Sequence, residues 1–214
     1  FVTLTKKNAN YSDLLSKMSG GGETTSQIVS LFSVIVGILI VCETANAISS
    51  LAETEKKGIL DVELASGTSR RRVVAAQAVA GAVESAILAA TGAATLAVAV
   101  GLSLDWEHGR EIAWKTATQW PACACLAGVG CLLYALSRKL TAGVWALVGW
   151  SFALSWFGKL LELPEWASKT TLLGWSFSPS DTERLPQALG LLAVGLAASA
   201  FATAACLRRD ILAS

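Results

Sequence analysis

Five stretches of the chain are apolar almost without interruption: from about Ile28 to Ser50, Val73 to Leu102, Ile112 to Leu136, Thr141 to Leu161 and Gln187 to Leu207. Each is near or above the ~20 residues that an α-helix needs to cross about 30 Å of hydrocarbon. None shows the alternation over about 10 residues that marks a barrel strand. The pattern predicts an all-α polytopic membrane protein with about five transmembrane helices. The second stretch is long enough to tilt or to break near Thr91 and Gly92. Pro121 removes a backbone donor inside the third and should kink it near Cys123. The last stretch carries Gly195, Ser199 and Thr203 at four-residue spacing, a ridge of small side chains that lets helices approach closely.

Composition agrees with burial in lipid: 53% of residues are hydrophobic and 15% charged. Seventeen Lys and Arg against sixteen Asp and Glu leave a net charge of +1, so no nucleic-acid footprint is expected. One histidine, His108, excludes His-rich metal sites. Cys42, Cys123, Cys125, Cys131 and Cys206 fall in apolar stretches and read as small hydrophobes. There is no G-x-x-x-x-G-K-[ST] phosphate loop and no nucleophile–base motif, so neither enzymatic activity nor a cofactor is expected within this chain.

Charge position predicts orientation. If the spans alternate, Lys56, Lys57, Arg70, Arg71, Arg72, Arg138, Lys139, Arg208 and Arg209 share one side, which the positive-inside rule makes cytoplasmic. Trp106, Trp114, Trp166 and Trp175 cluster near the opposite ends, as interfacial indoles do. The N-terminus of the segment then lies outside and the C-terminus inside. Residues 1–27 read as an extracellular segment and residues 28–214 as a transmembrane permease domain, with an outer loop at 162–186. An external N-terminus ahead of five spans needs a signal or a preceding helix. Phe1 to Gly22 provides neither, so a first span or a longer N-terminal part is expected upstream.

Between the first two spans, residues 51–72 carry the most information. Ile59, Leu60, Val62, Leu64 and Ala65 are too few to cross a membrane, yet Leu60 and Leu64 share a helical face. A short amphipathic helix over 53–69 fits, with Gly67 as its terminator and Ser69 as the N-cap of the next span, which opens on Arg70-Arg71-Arg72. The pattern alone equally allows a solvated loop with lipid-anchoring arginines. Glu55 stands three residues before Gly58 and Asp61 three after it, an apolar run follows, and Ser69-Arg70 begins eleven residues after Gly58. This arrangement resembles the cytoplasmic coupling segment of ABC-2-type exporter permeases, in particular the C-terminal half of actinobacterial polyketide-antibiotic, tetronasin-resistance-like exporters. The basic turn Arg138-Lys139, the aromatic and Pro-containing loop from Leu163 to Pro186 and the closing Arg208-Arg209-Asp210 extend the likeness.

The resemblance implies a six-helix permease half lacking its first helix. It also implies an ATP-driven exporter of hydrophobic or amphiphilic compounds, antibiotics among them, in a bacterial plasma membrane. The expected partners are two cytoplasmic ATP-binding subunits, which would hold ATP and Mg, together with a second permease half or the missing N-terminal part, and membrane lipid. Glu53, Glu55, Lys57, Gly58, Asp61, Leu64, Ser69 and Arg70 are the implied coupling residues.

Within the spans, Glu84 lies twelve residues beyond Arg72, about 18 Å along a helix and so near mid-bilayer. It reads as a substrate or ion contact, or as a protonated packing residue. Glu43 and Asn46, one turn apart on one face, read as a substrate route or as polar bonds between helices. The rival to an ATP-driven exporter is an ATP-independent transporter or channel that uses Glu84. A noncatalytic membrane scaffold is a third reading.

Overall fold

The computed structural model describes residues 24–157 and 185–213, and every regular element among them is helical. Helix α1 spans Thr24–Lys56, α2 Ile59–Ala65, α3 Arg70–Ser103, α4 Trp106–Ala117, α5 Trp120–Leu136, α6 Gly143–Phe157 and α7 Leu185–Ala213. A 3-10 turn, Arg138–Ala142, joins α5 directly to α6, with the Ser137 side chain capping its start. Among the described residues, four segments are long and apolar enough to cross a bilayer: Leu31–Lys56, Arg70–Ser103, Trp106–Leu136 and Leu185–Cys206. The stretch from Thr141 to Leu161 contributes the 15-residue α6, and its end lies outside the described residues. So do most of the N-terminal segment at 1–27 and nearly all of the outer loop, with Trp166 and Trp175. The all-α polytopic architecture read from the sequence is the observed one.

At two places the structure decides what the sequence left open or placed differently. Helix α3 runs unbroken through Thr91 and Gly92. Gly92 serves close approach instead, because a Cβ there would stand 2.8 Å from Cγ1 of Val36. The third stretch breaks between Ala117 and Trp120, ahead of the kink expected near Cys123, and Pro121 stands in the first turn of α5. A first-turn residue has no intrahelical acceptor for its N–H, so proline starts a helix there at no hydrogen-bond cost.

The described helices divide into two compact units, the first drawn from residues 1–39, 89–119 and 149–182, the second from 40–88, 120–148 and 183–214. In the first, Asp105 caps α4 by accepting from the backbone N–H of His108 at 2.8 Å, and its second oxygen meets Nδ1 of His108 at 2.7 Å. Those contacts, the backbone bond foremost, hold the Asp105 carboxyl below its ordinary range. His108 is thereby a capping partner. A buried polar cluster lies deeper in this unit: Oγ1 of Thr116 donates to the carbonyl of Ile112, which leaves it to accept from Oγ of Ser33 at 3.1 Å. Nε2 of Gln119 donates to the Ser33 carbonyl at 3.4 Å, and its Oε1 fills the place where a Cβ on Gly37 would stand.

In the second unit, Leu51, Val74, Ala78, Cys131, Tyr134, Ala135, Ala202 and Cys206 form a core drawn from α1, α3, α5 and α7. Close helix crossing makes this core possible. A Cβ on Gly128 would overlap the carbonyl oxygen of Gly195, and one on Gly195 would stand 2.8 Å from Cα of Cys125. Ser199 packs on the same line, and Ala202 and Cys206 continue it in the core. The small-residue ridge of α7 therefore acts as read at Gly195 and Ser199. All five cysteines are free thiols, four of them buried.

Candidate coupling site

The segment between α1 and α3 is shaped by two glycines. Lys57 and Gly58 still donate backward, to the carbonyls of Glu53 at 2.9 Å and Glu55 at 3.1 Å, and then Gly58 turns left-handed at φ +73°. Helix α2 runs for seven residues and stops at Gly67, φ +92°. A side chain is disfavoured at both positions by about 1 kcal/mol. Ser69 then precedes α3, its carbonyl accepting from the N–H groups of Arg72 at 2.9 Å and Val73 at 3.3 Å. Gly67 and Ser69 thus occupy the terminator and cap positions read from the sequence. The short helix is confined to Ile59–Ala65 instead of filling 53–69, because the left-handed Gly58 leaves Glu53 and Glu55 in the last turns of α1.

The implied coupling residues differ in their surroundings. Glu53, in the last turn of α1, and Lys57, just past its end, are exposed and pair at 3.4 Å, a solvent-facing contact worth a few tenths of a kcal/mol. Leu64 is half-buried, and Asp61 lies in α2 with its side chain outside the described residues. Glu55 and Arg70, fifteen positions apart, meet: Nη1 of Arg70 donates to Oε1 of Glu55 at 2.8 Å, with side chains 20% and 17% exposed respectively. Tyr134 of α5, 1% exposed and part of the unit's core, lies beside both.

This pair is placed against the helix dipoles. Glu55 sits at the C-terminal end of α1 and Arg70 at the N-terminal end of α3. Each position opposes its dipole by ~0.3–1 kcal/mol. A charge-assisted hydrogen bond in part-buried surroundings contributes about 1.5–3 kcal/mol. The contact between the two side chains therefore holds the arrangement, and helix electrostatics do not.

The faces of α2 differ sharply. Leu60 is 1% exposed, whereas Ile59 is 51% and Val62 72% exposed. In sequence these residues form one apolar run, in which the buried one is not distinguishable from the two presented outward. Tyr134 is likewise not singled out by the apolar pattern, although a tyrosine two residues from the end of an apolar span, next to a basic turn, is a usable signal.

The three polar span residues, Glu43, Asn46 and Glu84, are all exposed on the surface of their unit. On α1, Phe32, Ile35, Leu39, Glu43, Asn46, Ser50 and Glu53 form one exposed stripe at three- and four-residue spacing, apolar at its start and polar afterwards. Nε2 of Gln77 donates to the Ala47 carbonyl at 2.7 Å and fixes the register of α3 against α1. Counting from that bond, Glu43 and Glu84 lie within about 5 Å of the same depth. Among the described residues, no group of His, Cys, Asp and Glu is arranged to hold a metal ion.

No curated protein matches the chain. Residues 1–208 match the family described as "Multidrug efflux system permease Rv1217c, C-terminal domain". An all-helical chain with several membrane-spanning helices is consistent with a permease domain. The match covers nearly the whole length, and the chain belongs to the family of C-terminal domains of Rv1217c-type multidrug efflux permeases.

Proposed function

We propose that this chain is the C-terminal membrane half of an ABC-2-type exporter that moves hydrophobic or amphiphilic compounds, including antibiotics, out of the cell. The tetronasin-resistance-like permeases remain the type that it resembles. Energy comes from two cytoplasmic ATP-binding subunits that bind ATP and Mg. A preceding permease half completes the translocation path, and the basic ends of α1, α3 and α5 face the cytoplasm. Glu43, Asn46 and Glu84 are assigned to the surface that meets the other half and the substrate.

The observation that carries this reading is the outward apolar knob of α2. Ile59 and Val62 stand exposed on a helix of seven residues outside the spans, on the side where Lys56, Lys57 and Arg70–Arg72 gather. Covering the two side chains would recover on the order of 3 kcal/mol, enough to seat a helix in a groove of a partner subunit. The chain has no phosphate loop of its own, so a hydrolysing partner must make contact somewhere outside the lipid.

A photo-crosslinking residue at Val62, introduced in the intact transporter, tests the assignment. The expected adduct is with the ATP-binding subunit. Crosslinks to lipid alone would move α2 to the bilayer surface and remove the argument for coupling.

A further inference from the structure

We propose that Glu55 and Arg70 are positioning residues, a clasp that fixes α2 relative to the spans so that a push from the docked subunit reaches the membrane helices. The proposal rests on the function proposed above and changes the role of two residues within it. The resemblance assigns Glu55 and Arg70 to coupling without saying how. The geometry turns both side chains toward each other, beside Tyr134, and leaves a fifth or less of each exposed.

The need for a clasp follows from the joints. Helix α2 hangs between Gly58 and Gly67, both left-handed and both with nothing within 4 Å of the place where a Cβ would be. Buried Leu60 seats the inner face of α2, but with an open glycine joint at each end its position follows the ends of α1 and α3, and a force applied to Ile59 and Val62 would be spent on parting those two ends. The Glu55–Arg70 bond closes the loop on itself just outside the joints, joining the last turn of α1 to the first turn of α3. Tyr134 extends the contact into α5 and into the core that also holds Ala202 and Cys206 of α7. The clasp is thereby connected to four spans. Both charges oppose their helix dipoles, so helix formation alone gives no reason for them.

The test compares Glu55→Gln, Arg70→Gln and the exchanged pair Glu55→Arg with Arg70→Glu. A spin label at Val62 in the full chain reports the mobility of α2 without nucleotide, and unlabelled transporter reports compound moved per ATP hydrolysed. Each single variant should free the label and lower transport per ATP by about tenfold, while hydrolysis continues. The exchanged pair remakes the bond and places both charges in the favourable sense of their dipoles, so both readouts should return to within about twofold of the parent. A purely stabilising contact would change expression and leave transport per ATP alone. Single variants with an unmoved label, or with parental transport per ATP, overturn the clasp. So does an exchanged pair that stays uncoupled, which would mean that one of the two touches the partner directly. An error in the functional reading shows elsewhere: the parent transporter would then move compounds without ATP, while the label still reports on the clasp.

Discussion

Replacing Gly195 with valine is expected to leave little folded protein. The Gly195 Cα faces the backbone of Ala124 and Cys125, and the opposing Gly128 faces the Gly195 carbonyl, so an added side chain meets main chain and cannot be relieved by a rotamer change. Inside a membrane no hydrophobic force holds two helices together, and close packing with interhelical contact carries the association. Separating the helices to admit a branched side chain would also unpack Cys131, Tyr134, Ala202 and Cys206. Overpacking costs 1–3 kcal/mol where side chains can yield, and a cost of about 3 kcal/mol or more is expected against backbone. Unfolding in detergent, followed by helix signal, checks this. Gly190→Val is the control, since nothing lies within 4 Å of a Cβ there. Equal midpoints for the two variants would show that the glycine contact does not hold this unit together.

The second large effect is expected at α2. Substituting glutamate at both Ile59 and Val62 should reduce transport more than tenfold while leaving membrane insertion intact, because the two side chains stand outside the spans and outside the core. Two carboxylates in a groove built for apolar side chains would be desolvated without partners. Leu60, 1% exposed on the opposite face, separates the two kinds of damage: Leu60→Glu should lower stability. If the double variant expresses normally and transports at the parental rate, α2 is not a docking element.

The helices were legible in the sequence because span length is set by bilayer thickness, and long apolar runs leave few alternatives. Their facing was not. A helix that meets protein on one side and lipid on the other is apolar all round, so periodicity could not tell that Val74 and Ala78 are buried while Val79 and Val83 are exposed. For the same reason the depth of Glu84 could be counted along the chain, but its position on the exposed surface could not. The break precedes Pro121 because a proline in the first turn starts a helix, whereas the apolar run around it looks continuous in sequence. At Gly67 the residue type suggested a stop, and the left-handed φ confirms it, whereas Gly58, inside the helix expected over 53–69, turns left-handed and separates α1 from α2. The Glu55–Arg70 contact is different in kind: both residues were singled out, yet only a fold that returns α3 beside α1 shows that they meet each other.

The most direct measurement of the central claim is uptake of a lipophilic fluorescent compound into inverted membrane vesicles containing the complete transporter. The energy source is varied between ATP alone, ATP with the proton gradient collapsed by an ionophore, and a proton gradient without ATP. The account predicts uptake with ATP that survives collapse of the gradient, and none from the gradient alone. Uptake driven by the gradient without ATP, and lost in Glu84→Gln, would contradict it and identify an ATP-independent transporter that uses Glu84.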